Sequence, residues 1–296
     1  MDSAAAARRT NLGILFLIAS NGLTAIVDAV AKQMTEGLHP LFILWGYFLG
    51  IGILLAGYAI AKGIPLRSLT ATRQRPLQLL RSAFLVGTIA FLFVGLARLP
   101  LADAFAISFM APLFIVVLAG PILGERVGVH RIAAVIVGLV GVVVIMQPGT
   151  GVFQWSAVLI LVSALSFALF QITTRRLVGA APTIVTLYYT GFGGLLWTSL
   201  MAGFVWSPIG LGELAIFLAL GGLGVGAHLC VIKAFDAAQA SLLAPFNYTK
   251  LLWGIGLGYL MFGEVPTTAV LAGSAIIVVS GLYVIWRDSA DRAASG

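Results

Sequence analysis

The sequence predicts an all-α membrane protein of ten transmembrane helices, arranged as two inverted five-helix repeats. Three observations support this fold class: the composition, ten separate apolar segments, and a similarity between the two halves. Of 296 residues, 60% are hydrophobic and 9% are charged, and the mean hydropathy is +1.09. Soluble domains are about 45–50% apolar and about 25% charged. The apolar segments have the length of spanning helices, which excludes a membrane β-barrel.

Charged and Pro/Gly-rich breaks divide the chain into ten apolar segments, and each is long enough to cross a bilayer as a helix. The two longest connections are short loops, at 61–75 and 121–130, so no separate soluble domain is predicted. The segments run at about 11–32, 40–61, 76–98, 100–122, 129–147, 154–175, 182–204, 211–235, 238–262 and 266–286.

The first segment has some features of a cleavable signal peptide, since arginines at 8–9 precede an apolar run and residues 29–31 read Ala-Val-Ala. Against cleavage, the run contains Asn21, Thr24 and Asp28. Removal would also break the internal repeat. We therefore expect this segment to be retained as the first transmembrane helix.

The basic residues are distributed very unevenly if the N-terminus is cytoplasmic. Of the 17 lysines and arginines, 14 then fall in inside regions, two fall outside, and Lys250 lies within a span. Positive charge gathers in cytoplasmic loops. The pattern predicts a multi-pass protein of the cell (inner) membrane with both termini cytoplasmic, and it explains the net charge of +7 without a nucleic-acid partner. The inside set is Arg8, Arg9, Lys62, Arg67, Arg73, Arg75, Arg81, Arg126, Arg131, Arg175, Arg176, Lys233, Arg287 and Arg292, and the outside set is Lys32 and Arg98.

The two halves of the chain share a pattern. Gly124-Glu125 closes one proline-containing apolar helix, and Gly263-Glu264 closes another 139 residues later. Five spans is an odd number, so a second copy lies upside down in the membrane relative to the first. We assign the repeats to 1–149 and 150–296. Inverted repeats around a midplane site are typical of secondary transporters.

The second half also resembles a known family. The pattern A-P-F-x-Y-x-x-x-x-W stands at Ala244 to Trp253, F-G-E-x-P at Phe262 to Pro266, and S-G-L-Y-x-x-W-R at Ser280 to Arg287. The first half has the companion pair Ala111-Pro112, followed by Gly124-Glu125-Arg126. The chain is similar to EamA-type carriers of the drug/metabolite transporter superfamily, and the aromatic and neutral amino-acid exporters resemble it most. The resemblance implies ten helices and export of amino acids or other metabolites.

Lys250 is the most informative single residue, because it lies near the middle of the ninth segment. A central lysine costs about 2.5–3.5 kcal/mol even on the mildest insertion scales, so such residues are usually functional. Asn247 and Trp253 share its helix face, and Tyr248 follows Asn247. We interpret Lys250, Asn247, Tyr248 and Trp253 as one wall of a substrate site. A buried structural ion pair is the alternative for Lys250.

Four further residues are candidates. His228 is predicted at a depth close to that of Lys250, where the two would form a proton-sensitive pair; the alternative is that His228 is an ordinary packing residue with its hydrogen bonds satisfied. Asn21 lies at mid-depth in the first segment. Asp28 would carry a proton, meet a substrate ammonium, or pair with Lys32 one turn on. Tyr188 is either a gate residue or part of the interfacial aromatic belt.

Two prolines are expected to open their helices. Pro245 would free the carbonyl of Ser241, and Pro112 would free that of Ser108, since proline lacks the N–H that these carbonyls need. Asp103 fits the N-terminal end of the fourth segment as a cap. The remaining charges at helix ends, Glu264 among them, are interpreted as termini and loop contacts.

The leading function is secondary transport of small amphipathic metabolites, amino acids first, out of the cell by alternating access around a central cavity. The alternatives are a non-transporting receptor, a channel, or an intramembrane enzyme. The sequence lacks the H-E-x-x-H, G-x-S-x-G and Walker patterns of enzymes, and the single Cys230 indicates no metal cluster. We expect no cofactor, and a monomer or weak homodimer in the bilayer. The cargo, the coupling and the direction are open at this point.

Overall fold

The computed structural model describes residues 3–123, 129–147, 155–177, 181–237 and 244–295. Every regular element within these ranges is helical. The first half contains α1 (Ser3–Met34), α2 (Pro40–Ala61), α3 (Leu66–Leu69), α4 (Arg75–Leu96), α5 (Leu101–Ser108), α6 (Met110–Leu123) and α7 (Val129–Met146). The second half contains α8 (Trp155–Arg176), α9 (Thr183–Ala202), α10 (Leu211–Ala237), a 3₁₀ helix (Ala244–Tyr248), α11 (Thr249–Phe262) and α12 (Thr268–Ser295).

Five of the described helices are long and apolar enough to cross a bilayer, and three shorter helices are also apolar. The protein is therefore an all-α, multi-pass membrane protein. The count of ten spans in two inverted repeats stays a prediction. The five long stretches are Asn11–Met34, Pro40–Ala61, Arg75–Leu96, Trp155–Thr174 and Leu211–Val231. The shorter ones are Leu101–Ile115, which covers α5 and the start of α6, Ile132–Met146 and Thr268–Tyr283.

The fourth predicted span breaks in the middle. α5 ends at Ser108, and the backbone N–H of Phe109 donates back to the carbonyl of Ala106 before α6 begins at Met110. Pro112 supplies no N–H to the carbonyl of Ser108, which is the physical reason for a break here. The predicted opening near Pro112 thus takes the form of two helices in place of one.

The ninth predicted span is not one regular α-helix either. The prediction of a continuous α-helix over 238–262 is wrong at 244–248, the first residues of this span that the structure describes. Residues Ala244–Tyr248 form a 3₁₀ helix, and the α-helical hydrogen bonds begin only with α11. Pro245 lies in that tighter turn, as expected for a residue that breaks the α-helical ladder. Ser241, whose carbonyl was predicted to be freed, lies outside the described residues.

The helices pack across the two halves. α1 packs against α10 and α11, α4 against α8, and α2 against α9 and α10. Gly50 permits the last contact, because a Cβ at this position would lie 2.0 Å from the carbonyl oxygen of Phe217. The consequence for the site is that α11, α1 and α5 meet, since α11 also packs against α5.

Candidate functional site

Lys250 pairs with Asp28. The Nζ of Lys250 on α11 lies 2.8 Å from an Oδ atom of Asp28 on α1, and 4.5 Å from the ring centroid of Phe105 on α5. The side chain of Asp28 is 8% exposed and that of Lys250 is 27% exposed. Three helices from both halves of the chain therefore contribute to one charged centre, which an aromatic face covers on one side.

Asn21 holds the 3₁₀ turn that precedes Lys250. Its side-chain amide donates to the carbonyl of Phe246 and to the hydroxyl of Thr249, each at 3.0 Å. The hydroxyl of Thr249 also donates to the carbonyl of Phe246, at 2.6 Å. In a regular α-helix, that carbonyl would accept from the backbone N–H of residue 250. Both side chains donate to this carbonyl where the 3₁₀ helix joins α11, so Asn21 positions the start of α11 and, with it, Lys250.

Aromatic side chains lie on both sides of the charged pair. The indole of Trp253 lies against Gly22, where a Cβ would be 3.0 Å from the ring. The ring of Tyr248 meets that of Phe109 edge to face at 5.0 Å. Asn247 is exposed on the 3₁₀ helix. The predicted residues Lys250, Tyr248, Trp253, Asn21 and Asp28 thus lie along the contact of α1 with α11 and its preceding turn.

A second charged cluster joins the far ends of α1 and α11. Lys32 pairs with Glu264 and donates to the carbonyl of Leu99 at 2.8 Å. The other carboxylate oxygen of Glu264 accepts the backbone N–H of Leu101, the first residue of α5, at 2.8 Å. We call Lys32, Glu264 and the 99–101 backbone the outer cluster, after the side of the membrane on which the charge distribution predicts Lys32. Its carboxylate satisfies one of the free N–H groups at a helix start.

The outer cluster corrects two expectations. Asp28 does not pair with Lys32, because each of them has its partner on or just beyond α11. The carboxylate that accepts the first N–H of α5 comes from Glu264, while Asp103 lies in the first helical turn. No pattern in the sequence indicates this role for Glu264, since a carboxylate at a helix end is ordinarily solvated. The left-handed turn at Gly263 (φ 66°) directs Glu264 back towards α5.

His228 and Tyr188 lie elsewhere. Among the described residues, no hydrogen bond or ion pair joins His228 to Lys250, and the charge of Arg81 acts on His228. Tyr188 stacks on Phe192 at 4.6 Å and contacts a small pocket between α2 and α9. Within the described part of the chain, neither side chain has a hydrogen bond or ion pair with Lys250 or Asp28.

Arg81 was not predicted as a buried residue. The topology assigned it to the cytoplasmic set, but it is only 6% exposed, and its guanidinium bonds Thr174 on α8 and Thr190 on α9. A signal was available, since Arg81 falls six residues after Arg75 and inside an apolar stretch. A charge close to a helix end is usually a topology signal, but Arg81 lies more than one turn into α4 and is buried.

A second cavity is apolar, and none of its described lining residues is charged. It measures about 490 Å³ between α2, α4, α8 and α9, and Leu41, Val86, Phe91, Trp197 and Met201 are among its lining residues. Within the part of the chain that the structure describes, no group of three or more His, Cys, Asp or Glu side chains could hold a metal ion.

Comparison with known proteins adds a family and several relatives. Residues 11–147 match the EamA-like transporter family. An S-adenosylmethionine uptake transporter of Rickettsia prowazekii is 26% identical, over 93% of this chain and 93% of that protein. A riboflavin transporter of Rhizobium johnstonii is 34% identical, over 66% of this chain and 65% of that protein. A pseudopaline exporter, CntI, of Pseudomonas aeruginosa is 26% identical, over 90% of this chain and 94% of that protein.

One solved crystal structure is also similar. It aligns with a TM-score of 0.60 and 21% identity, over 93% of this chain and 96% of that one. At this level of identity, the likeness shows the fold alone.

Proposed function

The chain belongs to the EamA-type transporters of the drug/metabolite transporter superfamily, and on this premise we propose that it exports small amphipathic zwitterions, amino acids first. Its relatives are transporters and not enzymes. Lys250 and Asp28 are the proposed recognition groups for the two charges of the cargo. The single observation that carries the proposal is the distance of 2.8 Å between their charged atoms, at a point where helices of both halves meet.

The two charges of the pair are complementary to those of an amino acid. When the pair separates, Lys250 offers a cation to a cargo carboxylate, and Asp28 offers an anion to a cargo ammonium. A cargo with only one of these groups would leave the other protein charge buried without a partner, which is costly. The pair therefore favours cargo that carries both charges over a simple acid or amine.

The pair also explains how the empty carrier would return. A carrier must change conformation with and without cargo, and an isolated charge at membrane depth is expensive in either state. In the empty protein, Lys250 and Asp28 neutralise each other. In the loaded protein, the zwitterion neutralises both. Each state then has no net charge at the site, so downhill movement of cargo needs no coupled proton.

The aromatic residues suit the apolar part of the cargo. Phe105 lies under the ammonium of Lys250, and Trp253 is 40% exposed on the same helix as the lysine. Sites of this kind pair apolar surface with a few polar groups that fix orientation. S-adenosylmethionine, the compound in the name of the Rickettsia relative, carries an α-amino-acid group as well as a sulfonium cation and an aromatic base. Its amino-acid group supports a cargo that carries both a carboxylate and an ammonium.

Alternating access between 1–149 and 150–296 is the proposed mechanism, in the inner membrane and with both termini cytoplasmic. Each half contributes an interrupted helix, at Phe109 and at Tyr248, and interrupted helices at membrane depth accompany binding sites in inverted-repeat transporters. The outer cluster would hold the external side closed while the cytoplasmic side opens. A monomer contains both halves and suffices for this cycle.

Counterflow in proteoliposomes tests the proposal. Vesicles loaded with phenylalanine should accumulate labelled phenylalanine, whereas phenethylamine and 3-phenylpropionate, which each lack one charge, should not exchange. Saturable counterflow would separate a carrier from a channel or a receptor. Equal exchange of the amine or the acid would contradict the proposed roles of Lys250 and Asp28.

Direction needs a separate measurement, because relatives named for uptake and for export both resemble the chain. Right-side-out and inside-out vesicles of defined orientation should be compared at one cargo gradient. Export predicts the lower KM on the cytoplasmic face. A lower KM on the external face would favour a role in uptake over export and leave the zwitterion site in place, although the cargo gradient sets the direction of net movement in an uncoupled carrier.

A further inference from the structure

Arg81 is a buried cation held in a fixed orientation. It lies six residues into α4, which is about 9 Å from the helix start at 1.5 Å per residue. Its Nε donates to the hydroxyl of Thr174 at 2.8 Å, and its Nη1 donates to that of Thr190 at 2.9 Å. The guanidinium carbon lies 4.6 Å from the ring centroid of Phe170. Three contacts from α8 and α9 therefore fix the plane of the guanidinium.

These partners orient the charge without neutralising it. Each threonine hydroxyl donates its own proton to the carbonyl one turn earlier, at 2.7 Å for Thr174 and 2.8 Å for Thr190. Their oxygens are therefore free to accept from Arg81, but they carry no charge. Within the described ranges, Arg81 has no carboxylate partner and its Nη2 has no acceptor. A buried guanidinium without a counter-ion is a place where an anion would be stabilised.

Gln78 supplies an unused acceptor beside this cation. Its side chain is fully buried, its Nε2 donates to the hydroxyl of Thr186 at 3.2 Å, and its Oε1 has no partner among the described residues. Gln78 and Arg81 are three residues apart on α4, and their partners Thr186 and Thr190 are four apart on α9. Residues at these spacings lie on one helix face, so the two side chains lie next to each other.

We propose that Arg81 and Gln78 form a second recognition site for the cargo, on the side of the membrane that the charge distribution assigns to the cytoplasm. The carboxylate of an α-amino acid would bind the free Nη2 of Arg81, and its ammonium would donate to Oε1 of Gln78. This pairing of a cation with an acceptor repeats the logic of Lys250 and Asp28 with different residues. The ligand class rests on the proposed function, and the site itself rests on the geometry of α4, α8 and α9.

In the present conformation, the site is covered, because Arg81 is 6% exposed and Gln78 is fully buried. It would be reached when α4 separates from α9 on the cytoplasmic side. The cargo would then bind Arg81 first and the pair formed by Lys250 and Asp28 second. The site thus sets the apparent affinity on one face of the membrane only, a property that a purely structural arginine does not have.

Gln78→Glu is the most direct test. A glutamate would place a carboxylate beside Arg81 and occupy the guanidinium, with little change in side-chain volume. We expect the KM for phenylalanine on the cytoplasmic face to rise about tenfold, as for the loss of a charge-assisted hydrogen bond, and that on the external face to stay constant. Gln78→Leu should raise it less, and Arg67→Gln, at an exposed arginine, should leave it unchanged. An unchanged cytoplasmic KM in Gln78→Glu with normal folded yield would mean that Arg81 is structural.

A labelling experiment tests the site even if phenylalanine is not transported. Phenylglyoxal, an arginine reagent, is applied to the cytoplasmic face of vesicles, and modification of Arg81 is quantified by mass spectrometry. Phenylalanine and 3-phenylpropionate should protect Arg81, whereas phenethylamine should not, and exposed Arg67 should react equally in every case. No modification of Arg81 on this face would overturn the proposal. Protection by inorganic phosphate without protection by carboxylates would do so as well, since it identifies an inorganic-anion site.

Discussion

The rings of Phe109 and Tyr248 meet edge to face, with centroids 5.0 Å apart and an interplanar angle of 72°. The two residues are 139 positions apart, which is also the interval between Gly124-Glu125 and Gly263-Glu264. Phe109 lies at the break between α5 and α6, and Tyr248 ends the 3₁₀ helix before α11. Two equivalent positions of a repeat can contact each other only near the axis that relates them. The contact supports the proposed inverted repeat, whose axis would then pass close to Phe109 and Tyr248.

We predict that Phe109 and Tyr248 are energetically coupled. Phe109→Leu and Tyr248→Leu should each lower the free energy of unfolding. The loss in the double variant should be smaller than the sum of the two single losses by about 0.5–1.5 kcal/mol, the coupling energy of other aromatic pairs. Unfolding in mixed detergent micelles would measure the free energies. If the loss in the double variant equals the sum of the two single losses, the contact between the two rings contributes nothing to stability.

Much of the fold could be predicted from the sequence, because bilayer thickness imposes helix length and composition on every span. The family resemblance is confirmed. Lys250 stands out in the sequence as a candidate site residue because a charge at mid-span is rare. Its partner Asp28 could not be assigned, since nothing local distinguishes Lys32 from Lys250 as the nearer cation. Arg81 and Glu264 were missed for a related reason. Their burial and their partners depend on packing between distant helices, which neither periodicity nor spacing encodes.

Gly50 should tolerate no side chain, because a Cβ there would lie 2.0 Å from the carbonyl oxygen of Phe217 on α10. Backbone cannot move aside as a side-chain tip can, so Gly50→Ala should cost about 1–3 kcal/mol of unfolding free energy through overpacking. Gly57→Ala in the same helix meets nothing within 4 Å and should be neutral or stabilising by up to about 1 kcal/mol. Thermal melts of both variants in one detergent provide the comparison. Equal melting temperatures would contradict the close approach of α2 and α10.

Lys250→Met should abolish counterflow and also destabilise the protein, because it leaves the carboxylate of Asp28 buried without a cation. Removing one partner of a buried ion pair costs about 3–5 kcal/mol. Adding Asp28→Asn should restore most of the stability, since no uncompensated charge then remains, but it should not restore transport. Lys62→Met removes an exposed lysine at the end of α2 and serves as the control.

The double variant separates a structural pair from a recognition pair. Stability and initial counterflow rate would be measured on the same preparations of the wild type, both single variants and the double variant. Recovery of transport together with stability would show that Lys250 and Asp28 only hold the helices in place. Recovery of stability alone is the result that a zwitterion site requires.

Glu264 has two roles in the outer cluster, and they can be separated. Glu264→Gln removes the charge that pairs with Lys32, while the amide oxygen can still accept the backbone N–H of Leu101. We expect the external side to open more often. With Cys230 replaced, a cysteine at Phe105, which is buried beside Lys250, should then react several-fold faster with a membrane-impermeant thiol reagent added outside. Glu213→Gln is a matched control, since its carboxylate likewise accepts a backbone N–H, that of Gly210, at 2.9 Å.

Charge reversal sharpens this prediction. In the double variant Lys32→Glu with Glu264→Lys, the ion pair can form again, but a lysine at 264 has no acceptor for the N–H of Leu101. It also places a cation at the start of α5, where the helix dipole disfavours positive charge. The reaction rate of the cysteine at 105 should therefore fall only part of the way back towards its value with the native cluster. Full recovery would mean that the ion pair alone keeps the external side closed, and no recovery would assign that role to the contact with Leu101.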